Sequence, residues 1–403
     1  MDPSRKRGAV TAKELPYAGR RIWFVGIGGA GLSAYAQLAR AWGAEVGGWD
    51  RFDTPYLAPL RGARIEIAPE PVVPDGWEVV VSSAYPAVRG RPRAQFLAEL
   101  VGSRRSIVVA GTHGKGTTAA MIAYVLRETG RDPGWLIGAP VPQLGGNAGA
   151  GEGWLVVEGD ESDRTVFRLR AEIAVVTNVE LDHHTEFASL AELEREFERW
   201  TASAPGVVRD APPWKGQLAL AGEHNRRNAG AAAAALELAG VPREEAAPAL
   251  ARFTGTARRF EVSAAGALTI VDDYGHHPTE IAATIAAVRE SFPGRRVHVL
   301  FQPHLYSRTR HLAHELAGAL AAADDVAVTD VYPAREPPVA GVTGKLVVDA
   351  LSDRGRPAAW TPSVEDGVAH LARVASRDDV LLTIGAGDVD RAPALLREAL
   401  GSR

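Results

Sequence analysis

The sequence predicts an α/β protein of three domains, and three observations carry that expectation. Apolar strands alternate with helices along most of the 403 residues. The alternation falls into three cycles, each opening with a strand that runs into a polar or glycine-rich loop and then a helix. The length suits two to four domains at roughly 100–200 residues each. Repeated βα units of this kind pack as parallel sheets covered on both faces.

The first cycle opens with RRIWFVGI (20–27), a buried strand, and LSAYAQLARAWG (32–43), a helix closed by glycine. AEVGGWD (44–50) and EVVVSSA (78–84) read as further strands. The second cycle opens with SIVVAGTHGK (106–115) and a helix over 117–130. Strands WLVVEGDES (154–162) and AEIAVVTNVE (171–180) follow, each ending in a polar cluster. The alanine-rich run 229–236 is the middle of a helix built from the best helix former. The third cycle contains ALTIVDDY (267–274), helix 278–292, strand 296–303, helix 308–323, strand 325–333, strand 380–387 and a final helix. Cuts near 105 and 257 give domains 1–105, 106–257 and 258–403, with the two joints as hinge candidates. The Pro/Gly-rich stretch 203–222 gives no readable element.

Composition narrows the chemistry. With no cysteine there is no disulfide, thiolate nucleophile or cysteine-bound metal, so a covalent intermediate must avoid a thioester. A net charge of -4 and a pI near 6.3 give no electrostatic reason to expect nucleic acid or an anionic membrane. No apolar run reaches about 18 residues, and the basic start lacks a signal-peptide core. Cytoplasmic residence without a membrane partner is therefore expected. Only five of the 45 basic residues are lysine, so the setting of each lysine is informative.

Strand 20–27 runs into Gly26-Ile27-Gly28-Gly29-Ala30-Gly31 and a helix. Such glycines let backbone amides approach a diphosphate at a helix N-terminus. Asp50 ends the next strand, where a dinucleotide-type site places a carboxylate for a ribose. The plain alternative is a tight strand–helix turn. The stronger signal is Gly111-Thr112-His113-Gly114-Lys115-Gly116-Thr117-Thr118, which follows a clean apolar strand. Its amides suit a polyphosphate, and the Lys115 ammonium suits the charge between β and γ phosphates of ATP. Val109 and Gly116 depart from the full GxxxxGK[ST] pattern, leaving Thr117 as the expected Mg²⁺ ligand. Carboxylates in Glu158-Gly159-Asp160-Glu161-Ser162-Asp163 and the Asp182-His183-His184 run sit at strand ends, where Mg²⁺ shares phosphate oxygens. His224, Asn225 and Asn228 precede the alanine-rich helix and read equally as adenine contacts or as an N-cap cluster. Asp272 to Pro278 and Phe301 to Arg308 bring dense polar groups to successive strand ends, as a ligand site does.

Taken together, GIGGAGLSAYA, AGTHGKGTT, EGDESD, TNVELDHH, GEHNRRNA, GTARRFE, DDYGHHPTE, FQPHLYSRTR and DVYPAREPPVAGVTG resemble the Mur ligases of peptidoglycan synthesis, nearest the alanine-adding branch. The match runs in order from about 20 to 388. The resemblance implies a Rossmann-like UDP-binding domain, a shortened P-loop ATPase domain and a Rossmann-like C-terminal domain. It implies an enzyme that joins L-alanine to UDP-N-acetylmuramate, with ATP and Mg²⁺, through an acyl phosphate, working as a monomer or dimer. Gly26, Gly28, Gly29 and Gly31 would meet the UDP diphosphate, Asp50 the uridine end, and Ser82 would belong to the same substrate set. Lys115 would stabilise the transferring phosphoryl group. Thr117 and Glu158 would hold one Mg²⁺ and His183 a second. Asn225 and Asn228, with His224, would recognise adenine, and Arg259 and Asp273 would contact the nucleotide. Tyr274, His276 and Arg308 would form the amino-acid pocket, with His276 and Arg308 beside the reacting groups.

The sequence also departs from the family pattern. Leu305 stands where other members carry arginine, which raises the alternative of another small amino acid or a peptide as acceptor. Only 34 residues (188–221) lie where longer relatives insert further strands. A nicotinamide dehydrogenase would leave Lys115 and the acidic clusters unexplained. A non-catalytic UDP-sugar binder would not need them.

Overall fold

The computed structural model describes residues 15–63, 65–182, 186–334 and 336–401. The described residues form three sheets, of five, six and six strands. The first contains β1 (Arg21–Val25), β2 (Glu45–Trp49), β3 (Glu66–Ala68), β4 (Glu78–Val81) and β5 (Arg91–Pro92), all parallel, in the order β3-β2-β1-β4-β5. Helices α1 (Ala30–Ala41), α2 (Leu57–Gly62) and α3 (Arg93–Gly102) connect them. Ile22 and Phe24 of β1 and Phe96 and Leu100 of α3 are fully buried in one core.

The second sheet runs β11-β10-β6-β9-β7-β8. Its strands are β6 (Ser106–Ala110), β7 (Gly134–Val141), β8 (Gly146–Gly149), β9 (Leu155–Glu158), β10 (Ile173–Val176) and β11 (Gly206–Val208). Helices α4 (Lys115–Glu128), α5 (Leu190–Thr201), α6 (Glu223–Leu238) and α7 (Arg243–Arg252) cover it. The β7–β8 pair is antiparallel, so this sheet is not purely parallel as the βα repeat predicts. The hairpin packs on α1, and Asn147 Nδ2 donates to the Ala30 carbonyl at 3.1 Å. One apolar core therefore continues from Phe96 and Leu100 into Leu136 and Leu155.

The third sheet runs β12-β13-β17-β14-β15-β16, with β12 (Glu261–Ala265), β13 (Leu268–Asp273), β14 (Val297–Phe301), β15 (Asp325–Val328), β16 (Ala359–Trp360) and β17 (Val380–Ile384). It is parallel except for the β12 edge. Its helices are α8 (Pro278–Ser291), α9 (Tyr306–Leu320), α10 (Lys345–Asp353), α11 (Val364–Val374) and α12 (Ala392–Gly401). Cores on the two faces of this sheet are separate from those of the other domains. Its junction with the central domain includes polar side-chain pairs: Arg308 with Asp182, Thr279 with Glu180, and Arg226 with Glu290. The segment joining the two is pinned by Ala257 N to the Pro140 carbonyl (2.9 Å) and by Tyr274 N to the Arg258 carbonyl (2.7 Å).

Candidate active site

The carboxyl ends of the central strands gather the phosphate loop. β6 ends at Ala110 and α4 begins at Lys115, leaving Gly111 to Gly114 as the loop. The end of β10 staples that loop in place. The Thr112 hydroxyl donates to the Glu180 carbonyl (2.9 Å) and accepts from the Glu180 amide (2.8 Å). Asn178 Oδ1 accepts from His113 N at 2.9 Å, and Asn178 Nδ2 donates to the His113 carbonyl at 2.8 Å. Thr112 and the His113 backbone thus shape the loop. Gly114, at φ +79°, is left-handed, and a Cβ there would overlap the Asn228 amide of α6. A non-glycine residue in that region costs about 1–2 kcal/mol before any clash. Gly114→Ala is therefore expected to weaken binding of a non-hydrolysable ATP analogue at least about tenfold by calorimetry.

Lys115 Nζ lies 3.0 Å from the Thr112 carbonyl and 3.1 Å from Glu161 Oε1. Burial would lower its pKa, but the carboxylates of Glu161, Asp160 and Glu158 outweigh burial and raise it. The ammonium stays charged with no phosphate beside it. Thr118, in α4 itself, is fully buried. Glu158 ends β9 and accepts from Gly138 N at 2.6 Å. A Cβ on Gly116 or Gly138 would stand 3.1 or 2.9 Å from Glu158 Oε2. The Glu158 carboxylate thus lies close against Gly116 in the first turn of α4. A hydroxyl and a carboxylate at a phosphate loop are oxygen donors of the type Mg²⁺ takes, so the residues fit that ion. His183 lies outside the described residues.

A cavity of about 340 Å³ opens between the loop, α6 and the C-terminal domain. It is lined by His113, Gly114 and Thr117, by His224, Asn225 and Asn228, and by Arg259 and Asp273. Every one of these is a nucleotide contact expected from the sequence. The N-cap alternative for the Asn cluster does not hold: α6 is capped by Gly222 without a side-chain hydrogen bond. Asn225 Nδ2 instead donates to the Ala221 carbonyl at 2.7 Å. Burial, followed by Arg259, lowers the His224 pKa, so this ring is neutral. Asp273 accepts from Gly275 N (2.8 Å) and Phe260 N (2.9 Å), fixing the turn that carries Arg259.

Tyr274, His276 and Arg308 also come together. The Tyr274 and His276 rings meet edge to face at 5.5 Å, and His304 stands 5.6 Å from His276. Burial pushes His276 down to about 3. Its Nδ1 is 3.2 Å from the Tyr274 carbonyl, which places the proton on Nδ1 and leaves Nε2 as acceptor. Arg308 is 4% exposed and already engaged. Its Nε and Nη2 donate to the Asp182 carboxylate at 2.8 and 3.0 Å, and Nη1 lies 3.0 Å from His304 Nδ1. Two nitrogens of this guanidinium, which the resemblance gives to the amino-acid pocket, join the C-terminal domain to Asp182 of the central domain. Leu305, before α9, has φ +68° and ψ 134°, a strained setting for a branched residue.

In the first domain, Asp50 Oδ2 accepts from Gly28 N at 2.7 Å, and Tyr85 Oη lies 3.2 Å from Asp50 Oδ1. Asp50 therefore shapes the glycine loop and takes up one of the amides expected to face a diphosphate. Gly29 is the N-cap of α1 and Gly31 lies in its first turn. Gly26 passes against Ser82, whose amide donates to the Val25 carbonyl at 2.9 Å. Arg93 pairs with Asp163, so the first domain reaches the acidic turn of the central domain.

Two residues of the site were not read from the sequence, Glu280 and Glu180. Glu280 accepts from His276 N (3.0 Å) and faces Arg259 (3.4 Å) and His113 (3.2 Å). Its signal was present: it stands three residues after His277 in a capping box at the start of α8. Burial would lower the His113 pKa, but Glu180 and Glu280 outweigh it and hold it up to about 9. Since an unfolded histidine titrates near 6.5, these ion pairs contribute fully below about pH 6.5 and are lost as pH rises through about 9. The melting temperature of the wild type is expected to fall more steeply between those values than that of His113→Gln. Parallel curves would contradict this.

The C-terminal portion, residues 258–387, matches the family described as Mur ligase, glutamate ligase domain. The UDP-N-acetylmuramate–L-alanine ligase of Paenarthrobacter aurescens is 38% identical over 449 aligned positions, covering 94% of this chain and 97% of the relative. That of Streptomyces coelicolor is 38% identical, covering 96% and 99%. An alignment of 449 positions exceeds the 403 residues here, so the first relative carries segments this chain lacks. The crystal structure of the UDP-N-acetylmuramate–alanine ligase of Thermotoga maritima superposes with a TM-score of 0.77 at 27% identity, covering 95% of this chain and 99% of that one.

Proposed function

This chain belongs to the Mur ligase family, and we propose that it joins L-alanine to UDP-N-acetylmuramate at the expense of ATP, a step of peptidoglycan precursor synthesis. The observation that carries this reading is the nucleotide-sized cavity closed by the phosphate loop, α6 and the C-terminal domain, in a chain whose relatives of that name match over nearly their whole length. The ligase activates the muramate carboxylate as an acyl phosphate, and the alanine amine then displaces phosphate to form the amide. Cysteine plays no part in that route, as the composition requires.

The side chains divide the work. Lys115 faces the phosphates from the start of α4 and offsets charge as the phosphoryl group moves. Thr117 and Glu158 would hold Mg²⁺, which when bound neutralises phosphate charge. Asn225 and Asn228 line the cavity from α6 and would contact the nucleotide there, and Arg259 lines its C-terminal wall. His276, neutral and with Nε2 as acceptor, would receive a hydrogen bond from the incoming amine. Arg308 holds that pocket against the central domain through Asp182. The first-domain loop at Gly26 to Gly31 receives the UDP end. Among the described residues no helix is long and apolar enough to cross a membrane.

The acceptor is tested by mass spectrometry of the product with L-alanine, glycine and L-serine supplied together. UDP-N-acetylmuramoyl-L-alanine as the main product is expected. A main product carrying glycine or serine contradicts the assignment and returns the weight to Leu305.

A further inference from the structure

Three elements meet around the ring of His113. Its Nε2 lies 3.5 Å from Glu180 Oε2, and its Nδ1 lies 3.2 Å from Glu280 Oε1. The His277 ring stands alongside at 4.7 Å, inclined by 36°, with Nδ1 3.9 Å from the same Glu180 oxygen. One donor atom each from His113, Glu180 and His277 lies within 4.8 Å of the other two, and no other such group occurs among the described residues. Both ring nitrogens of His113 are shut off from solvent, and neither makes a well-formed hydrogen bond.

We propose that His113, Glu180 and His277 form a binding site for a transition-metal dication of the zinc class, distinct from the Mg²⁺ position at Thr117 and Glu158. Two imidazoles and one carboxylate are the donors that Zn²⁺, Co²⁺ and Ni²⁺ take, whereas Mg²⁺ prefers an all-oxygen shell. Metal-bound histidines usually offer their second nitrogen to a carboxylate that fixes the ring. Glu280 stands in that position at His113 Nδ1. Charge points the same way: two carboxylates flank this imidazole, so a dication replacing its proton balances them. The donors come from the phosphate loop, the segment after β10 and the residue before α8. A bound metal therefore ties the C-terminal domain to the loop at the wall of the nucleotide cavity, which His113, Glu180 and Glu280 also line. The proposal does not depend on which amino acid the enzyme adds.

The test is a Co²⁺ titration of the full chain in saturating Mg²⁺, followed by visible absorption and calorimetry. One equivalent is expected to bind with ligand-field bands of a nitrogen-containing shell, and Zn²⁺ should displace it. His277→Asn keeps a good helix N-cap while removing the imidazole. It and Glu180→Gln are each expected to weaken Co²⁺ at least about tenfold. A wild-type chain with no absorption change overturns the proposal by itself. So does wild-type affinity in whichever variant folds, since either removes one donor.

Discussion

Lys115→Ala is expected to lower the rate of ADP release on the order of 10²–10³-fold, the loss that follows removal of one preorganised charge at a developing oxyanion. The residue opens α4 with its ammonium already aimed along the loop. It also has a structural partner. Glu161 is 1% exposed and pairs with it, so the single substitution also removes a cation from beside a buried carboxylate. The double substitution Lys115→Ala/Glu161→Ala separates the two effects. It should recover thermal stability and leave turnover as low as before. Turnover that returned with stability would show that Lys115 matters only to the fold.

The second large effect is expected at the Asp182–Arg308 pair. Both side chains are about 4% exposed, and the contact is a two-point fork. Breaking a buried pair from one side typically costs about 3–5 kcal/mol, because the remaining charge stays desolvated. Asp182→Asn should therefore lower the unfolding transition of the C-terminal domain, seen by calorimetry, and raise KM for L-alanine with it. Asp182→Leu/Arg308→Met removes both charges and should restore most of the stability but not the KM. Additive losses in the double variant would mean that the pair does not couple the domains.

These two pairs also mark where the sequence was legible. Lys115 was readable because it combines a strand, a glycine loop and a helix start in a lysine-poor chain, and each of these is local. Asp182 and Arg308 lie 126 residues apart, and nothing in either motif says that one consumes the other. Arg308 therefore read as a substrate contact, and Asp50 as a ribose contact. Asp50 closes on Gly28 because the turn after β1 presents an amide to it, a tertiary detail that spacing does not encode. The three-domain α/β architecture followed from repeated βα periodicity, which depends only on side-chain pattern.

The β7–β8 hairpin was missed for a different reason. Gly146 to Gly149 carries little side chain and so shows no alternation, and the Trp135 ring occupies the space that a Cβ on Gly149 would fill. Its strand character comes from pairing with β7, and the hairpin docks on α1. That docking makes the joint near 105 the stiffer of the two hinge candidates, since an apolar core crosses it. At the joint near 257 the domains on either side keep separate cores, and polar pairs such as Arg308–Asp182 link them.

The central claim is tested most directly by ADP release from the purified chain with ATP and Mg²⁺, adding UDP-N-acetylmuramate and L-alanine singly and together. Sustained release only when both are present is the predicted result. Release that ignores the sugar nucleotide, or that proceeds equally without L-alanine, would contradict it.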